Sequence, residues 1–295
     1  MADRGDDLDD DFQPDGLVAL SDDEAGVDVD LEDADTGADE DEDQDPAPND
    51  RAAADKKRKR KEKMKEKKAK KRKLIETMGT ESEDTSVAAA SPYDLAQYLA
   101  GIQSKTFKDM SALELEDMRI PEDAIADTTV WTGPRTLDNL VDFIMKAVPA
   151  LKTRLGQKSK SNGAPTMLFI AGAALRVADV TRVLKSTKLR GDKGGDVAKL
   201  FAKHFKLQDH VQYLKRTAVG AAVGTPGRVG KLLCETDALT ISALSHIVLD
   251  ITFRDAKKRN ILDIPETRDE IFKTILGCPK VLKGIKEGKI QVVLF

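Results

Sequence analysis

The chain has almost no cysteine. Its two, Cys234 and Cys278, stand 44 residues apart with no secretory leader ahead of them, which excludes a secreted scaffold held by disulfides. Histidine is as scarce, and the three His fall in no ligand spacing with the cysteines, so no structural zinc site is expected. Aromatic residues make up 4% of the chain, too few to favour an RNA-binding sheet that stacks bases on exposed rings. Long apolar runs are missing too: none approaches the ~18–20 residues that cross a bilayer, so no membrane contact is expected. The reading is of a soluble, reduced, intracellular chain.

Charge is abundant, and it is sorted along the chain. Residues 1–50 hold 22 Asp and Glu against the single Arg4, a net of −21. Residues 51–73 hold 15 Lys and Arg against 3 acids, a net of +12, and the remaining 222 residues carry +5. The near-neutral total of −4 therefore hides two opposed blocks. Like-charge blocks poor in apolar residues cannot bury enough surface to offset the entropy of ordering. Roughly the first 90 residues are expected to be disordered tail, which leaves about 200 for one core.

The acidic part, residues 1–55, contains SDDEAG (Ser21 to Gly26) and DEDEDQD (Asp39 to Asp45). It solubilises the chain, or it mimics nucleic acid and binds basic proteins. Ser21, ahead of Asp22, Asp23 and Glu24, is a candidate for acidophilic phosphorylation. From Lys56 to Lys73, 14 of 18 residues are basic: Lys56, Lys57, Arg58, Lys59, Arg60 and Lys61 open the run and Lys70, Lys71, Arg72 and Lys73 close it. Such a run is a nuclear localisation signal or a nucleic-acid patch. Binding through it would be blind to sequence and strongly salt-dependent, because counterion release drives it. Residues 74–90 read as a linker.

Regular structure is expected from Ser91. SPYDLAQYLAGIQ offers Ser91 as N-cap and Pro92 at the first helical position, with Leu95, Tyr98, Leu99 and Ile102 at helical spacing. SALELEDMRI begins a second helix with a capping box, Ser111 and Glu114, and Pro121 stops it. Residues 91–127 thus form a helical arm. Beyond it, helical stripes alternate with short apolar runs. Leu137 to Leu155 reads as a helix interrupted near Pro149, Ala174 to Leu184 as a helix, and Val197 to Leu214 as helical in two pieces. Further helices are expected from Arg228, over Glu266 to Ile275 and over Lys280 to Glu287. TMLFIAG (Thr166 to Gly172), TAVGAAVGT (Thr217 to Thr225), LSHIVLDI (Leu244 to Ile251) and KIQVVLF (Lys289 to Phe295) read as four buried strands.

That alternation predicts an α/β fold with one parallel sheet covered on both faces. Ligands of such sheets sit at the carboxyl ends of the strands, which directs attention to Gly172, Thr225 to Arg228, and Asp250. Asp250 is expected to pair with a nearby Lys or Arg. Gly194-Gly195 reads as a turn, His204, His210 and His246 as packing or surface residues, and both cysteines as buried thiols. Lys280, Lys283, Lys286 and Lys289 form a solvated face or a weak RNA stripe.

AVGAAVGTPGR followed by VGKLL, then HIVLD, then QVVLF resembles the first RecA-like domain of DEAD-box RNA helicases over about residues 130–295. TPGR (Thr225, Pro226, Gly227, Arg228) matches that family's RNA-backbone motif, and Val248, Leu249 and Asp250 match the first half of its VLDEAD motif. The resemblance implies a single RecA-like domain over residues 128–295. For TPGR it implies phosphate contact by the Thr225 hydroxyl, the amides near Gly227 and Arg228. The other reading of TPGR is an inherited turn with Arg228 pairing locally.

The departures from the helicases matter more. In place of the phosphate-cradling Gly-Lys-Thr loop stands TGPRT (Thr132 to Thr136), without the Lys and with Pro134, which has no amide hydrogen. Ile251 replaces the Glu that follows Asp250, and the chain reaches Phe295 where a Ser-Ala-Thr motif is expected. No catalysis, nucleotide, metal or other cofactor is expected, since phosphoryl transfer depends on positioning and charge stabilisation that these parts supply.

A half-helicase behind an acidic tail and a Lys/Arg run resembles the Cms family. KLFAKHFKL (Lys199 to Leu207), GTPGR and LELEDMRIPEDA (Leu113 to Ala124) carry that likeness. It implies a nuclear, nucleolar factor of small-subunit ribosome assembly. Its partners would be pre-ribosomal RNA and assembly factors, and it would be monomeric outside the particle. Two alternatives are an ATP-dependent helicase whose partner supplies the second domain, and an acidic-tail chaperone for histones or other basic proteins.

Overall fold

Five apolar segments lie side by side at the centre of the chain. The computed structural model describes residues 87–157 and 159–295. The acidic tail, the basic run and most of the linker lie outside the described residues. The strands are β1 (Met167–Ile170), β2 (Asp196–Leu200), β3 (Val219–Gly224), β4 (His246–Leu249) and β5 (Gln291–Leu294), all parallel, in the order β2-β3-β1-β4-β5. Central β1 pairs Met167 with Ala221 on one side and His246 on the other. Every residue of β1, β3 and β4 is buried, as a sheet covered on both faces requires.

The helices are α1 (Pro92–Thr106), α2 (Ala112–Asp117), α3 (Leu140–Ala147), α4 (Pro149–Leu155), α5 (Ala174–Leu184), α6 (Thr187–Arg190), α7 (Leu207–Arg216), α8 (Pro226–Cys234), α9 (Pro265–Glu270) and α10 (Pro279–Lys286). Five of them (α1, α4, α8, α9 and α10) start with proline, whose fixed φ suits the first turn and whose missing N–H is no loss there. Ser91 caps α1 through the Asp94 amide, and Ser111 with Glu114 closes the capping box of α2.

The expected four strands are five. β2 falls where helical spacing predicts a helix, because Val197, Leu200 and Phe201 mimic that spacing. It is an edge strand with Asp196 exposed and Lys199 partly so, too short for its alternation to register. Gly194 and Gly195 lead into it by close approach rather than as a plain turn. A Cβ on Gly195 would sit 2.5 Å from the Gly220 amide nitrogen, and one on Gly194 2.6 Å from the Arg190 carbonyl. The helix expected over Glu266 to Ile275 is α-helical only to Glu270 and then widens into a π-helical turn, Ile271–Leu276. Cys234 is exposed rather than buried, its Sγ 3.2 Å from the Thr274 carbonyl, while Cys278 is buried.

The few aromatic rings do concentrated work. Trp131 meets Phe143 edge-on at 5.9 Å, Phe143 meets Phe295 at 5.0 Å, and Phe295 meets Phe169 of β1 at 6.2 Å. The arm joins this body through Leu95, Leu99 and Ile102. It ends on β5, where Ile125 bridges Val292 and the Ala126 amide donates to the Val292 carbonyl at 2.9 Å.

Two glycines let α8 lie against the turn after α9. A Cβ on Gly227 would run into the Glu270 carboxylate, and one on Gly230 into Thr274 Oγ1. Gly230→Ala is therefore expected to cost about 1–3 kcal/mol through overpacking. Gly101→Ala, on an open face of α1, should gain about 0.5–1 kcal/mol. Denaturant midpoints of the two variants check both signs.

Candidate functional site

The TPGR turn links β3 to α8. Thr225 is extended, and its amide donates to the Leu200 carbonyl at 3.0 Å while its hydroxyl caps nothing. Pro226 has no amide hydrogen to offer. The Gly227 amide donates to the Glu270 carboxylate, whose pKa burial raises, the Gly227 bond and Lys231 opposing. Arg228 is 8% exposed. Its Nη1 lies 3.1 Å from His210 Nδ1, and its Nη2 donates to the Phe205 carbonyl at 2.8 Å.

Burial first, and the Arg228 charge second, hold the His210 pKa down to about 4. The ring is therefore neutral at physiological pH, accepts through Nδ1, and carries its proton on Nε2, which is buried with no hydrogen-bond partner of good geometry. The Gly227 amide and two donors of the Arg228 guanidinium are thus engaged inside the protein.

Asp250 follows β4 and is fully buried. Its Oδ2 accepts from Arg176 Nε at 2.7 Å, and its Oδ1 accepts from the Thr252 hydroxyl at 2.7 Å and the Phe253 amide at 3.3 Å. Arg176, from α5, also donates to Thr252 Oγ1 at 3.1 Å. Gly172, the other strand-end residue, is covered by Ile261, whose Cγ2 lies 2.7 Å from where a Cβ would stand.

The Thr132–Thr136 segment turns its one cation inward. Arg135 is 2% exposed. It donates to the Leu294 carbonyl at 3.1 Å and the Thr128 hydroxyl at 3.0 Å, and it stacks over Phe143 at 4.8 Å. Burial lowers its pKa to about 10, still protonated at neutral pH.

These residues do not fit a magnesium–triphosphate group. Both oxygens of Asp250 are taken, and Arg135, the only basic side chain of TGPRT, is committed to the end of β5. Among the described residues no three His, Cys, Asp or Glu side chains converge to hold a metal. The basic residues expected to meet nucleic acid, from Lys56 to Arg60 and Lys61 and from Lys70 to Lys73, lie outside the described residues.

Of the sequence-derived candidates, the structure brings Asp250 to a cation and gives Arg228 and Gly227 internal partners. Sequence reasoning missed those partners: Arg176, His210 and Glu270. Only Arg176 had a signal, since a strand-end acid demands a cation. The lysines of α10 and the turn after it are exposed. Lys283 and Lys289 reach Glu287 at 3.8 and 2.7 Å, and Lys286 donates to the Asp117 carbonyl.

The buried ion pair can be tested by removing one partner or both. Arg176→Met alone strands a buried carboxylate and should cost about 3–5 kcal/mol, whereas Arg176→Met with Asp250→Leu should cost clearly less. A double-mutant cycle by chemical denaturation decides it, and strictly additive losses would remove the pairing argument.

The His210–Arg228 pair makes stability depend on pH. A histidine held near 4 and ordinary near 6.5 contributes stability that is complete above about pH 6.5. That stability is lost as pH falls towards 4, because the unfolded chain takes up the proton first. Arg228→Ala should destabilise the fold by about 1–3 kcal/mol at pH 7. It should also raise the His210 pKa, which flattens that acid slope. NMR titration of the imidazole and unfolding at pH 5 and 7 test both.

Known proteins are similar in sequence. Residues 38–295 match the family model CMS1, described as U3-containing 90S pre-ribosomal complex subunit. Protein CMS1 of Chaetomium thermophilum is 40% identical over 61% of this chain and 70% of its own length. Protein cms1 of Schizosaccharomyces pombe is 32% identical over 73% of this chain and 74% of its own, and human Protein CMSS1 is 33% identical over 62% and 61%.

Among solved structures, a DEAD box protein from Methanococcus jannaschii aligns with a TM-score of 0.33 and 16% identity, covering 55% of this chain and 37% of that one. The yeast DEAD-box splicing factor Prp28 gives 0.34 and 16%, covering 56% and 34%. The match thus spans little more than a third of the length of these two DEAD-box proteins. By the match over residues 38–295, the chain belongs to the CMS1 family of U3-containing 90S pre-ribosomal complex subunits.

Proposed function

We propose that this chain is a non-catalytic assembly factor of the early small-subunit pre-ribosome. It acts in the nucleolus and grips pre-ribosomal RNA, assembly proteins or both without turning over nucleotide. The observation that carries the reading is the match of residues 38–295 to a family described as a 90S pre-ribosomal subunit.

The non-catalytic half of the reading is supported by side-chain chemistry. Asp250 is saturated by Arg176, Thr252 and Phe253. Ile251, in the place of the helicase Glu, is buried, its amide donating to the Phe295 carbonyl at 2.8 Å. Neither arrangement leaves a group to orient an attacking water. RNA contact is assigned first to the run from Lys56 to Lys73, through phosphates. The TPGR turn adds the Thr225 hydroxyl at the mouth of α8. The chain is monomeric until it enters the particle.

A tagged copy is expected to co-purify small-subunit pre-ribosomal RNA with assembly proteins, and recovery of neither overturns the reading. Deleting Lys56 to Lys73 should weaken nuclear accumulation and flatten the salt dependence of RNA binding. Fluorescent ATP should show no saturable binding tighter than about 1 mM, roughly −4 kcal/mol. Tight binding with hydrolysis by the pure chain would establish an enzyme instead.

A further inference from the structure

The opposite edge of the sheet is open. At the amino ends of β1, β4 and β5 lies a cleft of about 880 Å³, with Thr166, Ser245, His246 and Gln291 along its floor. Arg154, at the end of α4, and Lys160, from the loop before β1, stand on one wall, and Lys289 on the other. Among the described residues no carboxylate and no Phe, Tyr or Trp lines it. Arg154 and Lys160 are exposed and make no ion pair among the described residues, whereas Lys289 is held by Glu287 at 2.7 Å.

Helix ends and side chains oppose each other in charge there. The carboxyl ends of α4 and α10 face the cleft, each equivalent to about half a negative charge. Among the described residues the cleft's two cations without an ion pair outweigh them in formal charge. Its floor is set for hydrogen bonding rather than for charge. His246 is 4% exposed, and burial, with Arg154 second, holds its pKa near 4, so the ring is neutral. Ser245 Oγ donates to the Thr166 carbonyl at 3.1 Å, so it accepts from His246 Nδ1 at 2.8 Å. That leaves Nε2 without its proton and buried beside Gln291. It has no hydrogen-bond partner of good geometry, although the Gln291 side chain lies close enough to bias its titration.

We propose that this amino-edge cleft binds the sugar-phosphate backbone of single-stranded RNA. Arg154 and Lys160 take phosphates, and half-buried Gln291 faces the ribose. With no Phe, Tyr or Trp in the described lining and the His246 ring buried, bases are not stacked, so binding is tolerant of sequence. A flexible single strand can follow a cleft of this size. The inference rests on the RNA-binding reading above and moves the folded domain's contact to the edge away from TPGR.

The test uses the full chain with a fluorescein-labelled 12-nucleotide oligo-uridine RNA, read by anisotropy across salt. Arg154→Gln with Lys160→Gln should lower affinity roughly 10-fold near physiological salt and reduce the slope of log K against log salt by about 1.4, at ~0.7 for each phosphate no longer neutralised. Lys105→Gln with Lys108→Gln, outside the cleft, should change neither. Both pairs are exposed, and matching thermal unfolding confirms the fold.

Thiouridine crosslinks should map to residues 150–161 and 284–291. Binding unchanged in the cleft variant, or crosslinks confined to residues 56–73, overturns the cleft and leaves RNA association standing. No RNA binding by the unaltered chain overturns the RNA-binding reading itself. A phosphoserine peptide that needs Arg154 and Lys160 while RNA does not would make the cleft a protein site and refute the proposal.

Discussion

Three buried guanidinium groups govern the carboxyl edge of this sheet. Arg135, Arg176 and Arg228 are 2%, 6% and 8% exposed, and a guanidinium cannot shed its charge to escape burial. Each must therefore find oxygen or nitrogen lone pairs inside the protein. Arg176 takes the Asp250 carboxylate after β4, Arg228 takes His210 and the Phe205 carbonyl beyond β2, and Arg135 takes the Leu294 carbonyl at the end of β5. The pairings tie the loops after the strands to one another. Burial lowers the pKa of the two that have no carboxylate partner, Arg135 to about 10 and Arg228 in the same direction. That is the expected result when desolvation is not offset by an opposite charge.

The same edge depends on one close approach of helices. Gly227 and Gly230, three apart on α8, face Glu270 and Thr274, four apart across the end of α9 and the π-helical turn. Thr274 donates its hydroxyl back to the Glu270 carbonyl at 2.6 Å, so the turn is braced where it widens. This packing delivers the Glu270 carboxylate to the Gly227 amide. A side chain at either glycine would push the two elements apart and free the amino end of α8.

Much of this was legible in the residues. The buried strands β1, β3, β4 and β5 were readable because each is a short apolar run with no alternation. The arm was readable because Ser91-Pro92 and Ser111-Glu114 are local signals whose chemistry lies within four residues. β2 was not, since a half-exposed edge strand of five residues carries too little pattern to separate from a helical turn. The TPGR motif was visible, yet its occupancy was not. His210, Phe205 and Glu270 lie 18, 23 and 43 residues from the groups they engage, and nothing local in the sequence encodes such a contact. The exposure of Cys234 was hidden for the same reason: its surroundings come from the turn 40 residues on.

The polarity of the sheet explains why internal carboxylates settle at this edge. In a parallel sheet with returning helices, the amino ends of the helices gather at the carboxyl ends of the strands. Their free amides and positive dipole ends favour anions there. A fold of this type that binds no phosphate still has those donors to satisfy, since a buried amide without a partner costs about as much as a lost hydrogen bond. Here the chain supplies the anions itself. Glu270 takes the Gly227 amide at the mouth of α8, while Asp250 answers Arg176 and the loop amide of Phe253. The amino edge has the opposite polarity, with helix carboxyl ends that call for cations, and Arg154 and Lys289 stand at two of them. Lys160 comes from a loop and answers no helix end. Among the described cations of the cleft it is the one which the fold's own electrostatics does not require.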